Sequence, residues 1–319
     1  MSDNSEAQAL FAVFFSDCWA YAGLTLFVHD FLLTLGSEVT LFWMEFRASG
    51  ASILFLFNRY LTLTTQVVGV TPIPVSPESA NAVNIGSSVL FAMQYLPWAI
   101  FSAIRSYALC PQSCQRLVSA FVFVLSALPG LMDLLVNAYW THIVNDPAEG
   151  VVVVHTLSPS TVVRLTVVMR CSLIASDIMV LYLSWYRAHE PAQSPLHHAG
   201  KRTFASILLL DGTAYFLMLL ILNLLHIAFT VSAVADVSSG PTSVIGTFEQ
   251  PFTSLLIGRF LISLQKVQRR LCDSTRSISL GDFASQSQGS RRTGHFIWAL
   301  GAQPSFHGDH EEGDESDSL

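Results

Sequence analysis

The chain has 319 residues, of which 51% are hydrophobic and only 12% charged, about half the charged fraction of an ordinary soluble domain. A formal net charge of -7 argues against a general nucleic-acid binder, which needs a basic face or stripe. The composition is that of a membrane protein.

A helix needs roughly 20 mostly apolar residues to cross about 30 Å of hydrocarbon. Seven stretches satisfy this, near 15–35, 51–71, 86–109, 117–138, 165–186, 204–228 and 243–264. The third carries Gln94 and Pro97, the fifth Arg170 and Asp177, and the last Glu249, Gln250 and Pro251. That last stretch is the weakest, and six or eight spans are the alternative counts. The expected fold is an all-α, polytopic transmembrane bundle of seven helices (15–272), with a short extracellular N-terminus (1–14) and a disordered cytosolic tail (273–319).

Orientation follows from the cations, because Lys and Arg near span ends stay on the cytoplasmic side. Thirteen of the 16 fall in the first, third and fifth connections or at and beyond the last span, among them Arg47, Arg116, Lys201, Arg202 and Arg270. The N-terminus is therefore expected outside and the C-terminus in the cytosol. Asp3 and Glu6 precede the first apolar run with no Lys or Arg, whereas a cleaved signal peptide has a positive start. The first span is expected to be a retained anchor. The chain ends Asp-Ser-Leu with no retention signal or lipid-anchor motif, so no particular membrane is assigned, the plasma membrane being slightly favoured.

Beyond Leu264 the composition shifts. Ser274 to Leu319 is rich in Ser, Gly, Gln and His and ends in an acidic run, too little apolar surface to offset the entropy of ordering. Between span and tail, Leu264, Val267 and Leu271 recur at helical spacing beside Lys266, Arg269 and Arg270. This suits either a helix lying on an anionic inner leaflet or a plain basic stop-transfer cluster.

The five cysteines make no disulfide framework, since Cys110, Cys114 and Cys272 are expected in the cytosol, Cys171 in a span and Cys18 near the outside. The three juxtamembrane thiols are candidates for S-acylation, with unmodified thiols the plainer reading. No histidine or carboxylate spacing argues for a metal, and no cofactor is expected.

Tyr21 to Leu61 contains H-D-F-L-L-T-L-G-S-E-V-T-L-F-W and then F-L-F-N-R-Y-L. Asp30, Thr34, Glu38, Val39 and Trp43, followed by Phe55, Asn58, Arg59 and Tyr60, carry a resemblance to a fungal membrane-protein family catalogued as domain of unknown function 6533. Arg105 with Tyr107 and Arg259 with Phe260 look like that family's usual ends of the third and last spans. His29 stands where the family usually has Tyr, and the basic cluster after Trp43 is missing. The resemblance implies several spans, commonly seven, and no activity.

Charges at membrane depth cost about 3 kcal/mol on insertion scales and face the bundle interior. Counting 1.5 Å per residue from the cytosolic ends puts Asp30, Arg59, Asp177 and Asp211 at roughly 8 to 14 Å, and Asp133, Arg170 and Glu249 at roughly 22 to 24 Å. Asp30 is expected to pair with Arg59 across the first hairpin, as a clamp more than a ligand or proton site. Arg170 is expected to meet Asp133 or Glu249 in an outer layer where a pocket would lie, lined by Trp98 or Trp140 and by His155. A second structural clamp is the plainer reading.

Four classes of function fit this architecture. A receptor-like seven-helix protein has the topology, though Ile104-Arg105-Ser106-Tyr107 is not Asp-Arg-Tyr and no Asn-Pro-x-x-Tyr ends the last span. A retinal photoreceptor needs a lysine inside the membrane, and both lysines, Lys201 and Lys266, are expected outside it. A transporter or channel would use intramembrane carboxylates and broken helices. An intramembrane enzyme has no supporting motif here, and a structural or assembly protein recruiting partners is the fourth class. The receptor-like reading is favoured, with transport as the alternative. Expected partners are the lipid bilayer and a cytosolic signalling or scaffold protein met through loops and tail, with no nucleic acid and no identified small-molecule ligand.

Overall fold

The computed structural model describes residues 2–44, 49–72, 74, 76–146, 150–189, 213–230 and 244–279. Within them run seven long helices: α1 Ser2–Glu38, α2 Gly50–Gly69, α3 Pro77–Leu109, α4 Gln115–Trp140, α5 Pro159–His189, α6 Thr213–Thr230 and α7 Val244–Ser279. A π turn, Val39–Trp43, prolongs α1. Hydrocarbon offers no partner for a free backbone group, so a spanning segment must bond internally. Ser and Thr side chains follow the same rule, with Thr34, Thr62 and Ser184 bonding to the carbonyl four residues back.

Local signals set the helix starts. Ser49, in extended conformation, caps α2 by accepting from the Ser52 amide. Ser76 precedes Pro77 at the first turn of α3, with Glu78 beside it, where proline's missing N–H costs nothing and a carboxylate meets the positive end of the helix dipole. Pro97, Pro129 and Pro251 lie inside α3, α4 and α7 without interrupting them.

Helix α1 begins at Ser2, while the part of it long and apolar enough to span begins at Val13. The C-terminal boundary differs from expectation. Helix α7 runs unbroken to Ser279, and Leu264 is buried against its neighbours, so no separate helix departs after Phe260 to lie on a leaflet. The expected tail from 273 thus starts within a helix; its remainder from 280 lies outside the described residues, as does Asp211.

The fourth connection adds a small sheet to an otherwise helical chain. β1, Thr141–Asp146, pairs antiparallel with β2, Gly150–His155, in the register Thr141 opposite His155 and Asp146 opposite Gly150. Four consecutive valines, Val151 to Val154, favour extended backbone because their branched side chains crowd a helical turn.

The helices close into a ring. α1 packs on α2 and α7, α2 on α3 and α7, and α3 on α4 and α5. α6 joins through ring contacts of Phe216 with Phe101 on α3 and of Tyr215 with Phe260 on α7. The interior holds Phe42, Phe55, Trp98, Phe101, Phe260 and Leu261. Outside, Leu33 of α1, Val124 and Leu131 of α4, Val168 and Ile178 of α5 and Leu217 of α6 are exposed, more large apolar surface than a water-soluble monomer presents.

Five helices are long and apolar enough to cross a bilayer: Val13–Trp43, Pro77–Leu109, Gln115–Trp140, Ser160–Arg187 and Thr213–Thr230. α2 and α7 are not among them. The weakness of α7 is expected from its Glu and Gln, whereas α2 reads as a strong span from sequence. Its Asn58, Arg59, Thr62 and Thr65 are all buried, so α2 is polar on the face turned toward its neighbours.

Candidate functional site

The ionisable residues do not pair as depth alone suggests. Arg59 meets Glu38, Nε to Oε2 at 2.7 Å, and not Asp30. Its Nη2 donates to the Phe31 carbonyl at 2.7 Å, and its guanidinium lies 4.1 Å from the Phe31 ring centroid. Asp30 is taken instead by Arg259 of α7, through Nε at 2.7 Å and Nη2 at 2.5 Å. The expected Asp30–Arg59 clamp is therefore replaced by two clamps, one closing α1 on α2 and one closing α1 on α7. Equal depth fixes height along the membrane normal but not the direction in which a side chain points.

Glu38 is wholly buried and accepts two further hydrogen bonds, from the Tyr60 hydroxyl at 2.8 Å and from the Trp43 indole at 3.1 Å. Sequence reasoning missed it because the first span was ended at residue 35. Continuing the apolar count through Trp43 brings Glu38 inside the membrane and demands a partner for it.

A second buried network joins α2, α3 and α7. Asn58 donates to the Ser254 carbonyl and hydroxyl at 3.1 and 3.0 Å and accepts from the Trp98 indole at 3.0 Å. Thr62 Oγ1, whose proton goes to the Asn58 carbonyl, lies 2.8 Å from Ser254 Oγ and accepts from Gln94 at 3.0 Å. The signal was present as polar residues four apart, Asn58 with Thr62 and Gln94 with Trp98, each pair on one helix face. Trp98 is thus committed to Asn58 and not to an outer pocket.

The outer cluster draws on five helices. Arg170 of α5 forms an ion pair with Glu249 of α7, and His226 Nδ1 of α6 lies 3.5 Å from the other oxygen of Glu249. Tyr95 of α3 and Asp133 of α4 both lie within electrostatic range of Arg170. Gly246 admits the imidazole, since a Cβ there would sit 3.0 Å from His226 Cε1. Trp140 ends α4 partly exposed, and the His155 side chain is outside the described set.

Asp177 stands apart, buried and accepting from Asn223 of α6 at 3.0 Å, while Ser126 and Ser176 bond between α4 and α5 at 2.7 Å. Arg105 is buried with no hydrogen-bond partner for Nε or Nη2 among the described residues, and its guanidinium lies 5.2 Å from both the Phe216 and Phe260 ring centroids. Cys110 and Cys114 meet in the α3–α4 connection, whereas the Cys272 side chain lies outside the described set. No group of three or more metal-ligating side chains occurs among the described residues.

Long apolar helices, apolar side chains exposed on their outer faces and ion pairs buried between them define a polytopic integral membrane protein. Residues 18–64 match a family of unknown function, DUF6533, which covers Asp30, Glu38, Trp43, Asn58, Arg59 and Tyr60. The comparison with curated proteins gives no match.

Proposed function

We propose that this chain is a receptor-like membrane protein of the fungal type its first two helices resemble. It crosses the bilayer seven times, with the N-terminus outside and the C-terminus in the cytosol. The observation that carries the reading is the convergence of α3, α4, α5, α6 and α7 on Arg170 and Glu249. A polar ligand that competes for either charge repositions several helices at once, which couples the outer half of the bundle to the cytosolic connections. The prolines leave α3, α4 and α7 continuous, which favours a receptor over a transporter built on broken helices. No motif supports catalysis.

Transport is the second reading, favoured by Asp177, a buried carboxylate whose partner Asn223 is neutral. The deciding experiment uses the full chain in nanodiscs and proteoliposomes. The receptor reading expects opposite-face tagging of the two termini and capture of a heterotrimeric G protein or scaffold by the cytosolic face. Proton-driven flux lost in Asp177→Asn would favour transport, and termini on one face would overturn the topology.

A further inference from the structure

The α3–α4 connection reads Cys110-Pro-Gln-Ser-Cys114. A tight turn closes it, with the Cys114 amide donating to the Pro111 carbonyl at 3.2 Å and the Cys110 amide to the Ser106 carbonyl at 3.0 Å. Gln115 Nε2 donates to the Tyr107 carbonyl at 2.6 Å and ties the first residue of α4 back to α3. This turn holds the two sulfurs 3.4 Å apart as free thiols in contact. Cys110 is buried, and Cys114 is partly open to solvent.

We propose that Cys110 and Cys114 form a reversible disulfide site, closed by small-molecule disulfides of the glutathione type. The sulfurs have only to approach from 3.4 Å to the bonding distance of about 2.05 Å. The Cys114 thiolate attacks one sulfur of the external disulfide and expels one external thiolate, leaving a mixed disulfide on Cys114. The Cys110 sulfur, already in contact, then loses its proton, attacks the Cys114 sulfur and expels the second external thiolate. Two protein thiols are oxidised, one external disulfide is reduced to two thiols, and the two protons end on those thiols.

The division of roles follows from access. Burial pushes the Cys110 thiol up to about 11, reinforced by the neighbouring Cys114, so it is a poor first nucleophile. A thiol of high pKa is also a poor leaving group, which favours the disulfide once formed. Burial makes Cys110 equally ill-suited to S-acylation, one of the modifications expected from its position. The bridge would pin the end of α3, just past Arg105, to the start of α4. Its reversibility rests on the cytosolic orientation proposed above, because on an oxidising face the bridge would stay closed.

The test equilibrates the full-length protein in nanodiscs with glutathione and glutathione disulfide at stepped ratios, then unfolds it in denaturant containing N-ethylmaleimide, which blocks buried and exposed free thiols alike, for peptide mass spectrometry. The expected result is a Cys110–Cys114 bridged peptide that grows with the disulfide fraction and disappears on return to reduced glutathione. In Cys110→Ser, Cys114 is expected to keep a stable glutathione adduct, and in Cys114→Ser, Cys110 to stay reduced. A lasting glutathione adduct on Cys114 of the unaltered protein would overturn the proposal, as would alkylation of both thiols at every ratio. Labelling Cys114 in sealed cells with a membrane-impermeant maleimide tests the orientation separately: labelling from outside would sink the topology and leave the bridge chemistry standing.

Discussion

The indole nitrogen of Trp43 lies 3.1 Å from a carboxylate oxygen of Glu38, five residues earlier on the same helix. In an α-helix, residues five apart point in different directions, whereas the wider π turn brings them onto one face. The Met44 amide bonds to the Val39 carbonyl at 3.0 Å, the five-residue closure that makes this turn. The π turn thus adds an indole donor to a carboxylate that Arg59 and Tyr60 already hold from α2.

Breaking this arrangement from one side leaves a charge buried in the bundle. Arg59→Met and Glu38→Gln are each expected to destabilise the protein by roughly 3–5 kcal/mol, the usual cost of orphaning one member of a buried pair. Unfolding of the single and double variants in bicelles should show coupling between Glu38 and Arg59 of about 1–3 kcal/mol. Asp30→Asn with Arg259→Gln should couple more weakly, because the Arg259 side chain is 57% exposed and water screens it. Stronger coupling of Arg59 to Asp30 than to Glu38 would contradict the assignment.

Arg105 gives the opposite expectation. Among the described residues its guanidinium has no hydrogen-bond partner for Nε or Nη2 and only the Phe216 and Phe260 rings to offset its desolvation, so Arg105→Met should leave stability unchanged or raise it. The same thermal unfolding assay decides this. A loss comparable with that of Arg59→Met would mean that an anion holds Arg105 in the membrane.

Gly130 lets the backbones of α3 and α4 approach closely. A Cβ at this position would lie 2.7 Å from the Ala92 carbonyl oxygen and 3.1 Å from Tyr95 Cβ. Backbone cannot step aside as a flexible side chain can, so Gly130→Ala should cost about 1–3 kcal/mol. At Gly36 an added methyl would meet nothing within 4 Å, and Gly36→Ala should be neutral or stabilising by up to about 1 kcal/mol. Equal effects at the two sites in thermal unfolding would refute the close contact.

Removing Asn58 strands the Trp98 indole. Asn58→Leu takes away the acceptor of that N–H, while Ser254 Oγ keeps its contact with Thr62, at an expected cost of about 1–3 kcal/mol for the buried donor left unsatisfied. Trp98→Phe in the Asn58→Leu background should cost less than Trp98→Phe alone. An additive outcome would show that the two side chains do not share a bond.

With its thiol near 11, Cys110 should resist alkylation at neutral pH. Iodoacetamide labelling, read peptide by peptide, should climb as pH rises from 9 toward 11, because only then does the thiolate become populated. Deprotonation is favoured more in the unfolded chain than in the native one. Cys110 therefore contributes stability that is full below the ordinary thiol range and fades as pH rises through 11. Rapid labelling of Cys110 at pH 7 would contradict its burial.

What could be read from sequence was largely one-dimensional. Apolar run lengths located the long helices, five of which are apolar enough to cross a bilayer, since partition into hydrocarbon depends on local composition. The signature from Asp30 to Tyr60 singled out the residues of the first clamp without assigning their partners. Depth put Arg170 level with Asp133 and Glu249, because rise per residue is constant along a helix, and left open which of the two it meets.

Only the tertiary structure decided azimuth. Each residue turns about 100° around its helix axis, so small differences in helix rotation redirect a side chain from one neighbour to another at the same depth. Arg259, counted in sequence only as a positive charge at the end of the last span, takes Asp30 because α1 packs on α7. That freed Arg59 for Glu38. The closure of the ring, a contact between the first and last helices, is long-range packing, and no local pattern of residues encodes which faces meet there.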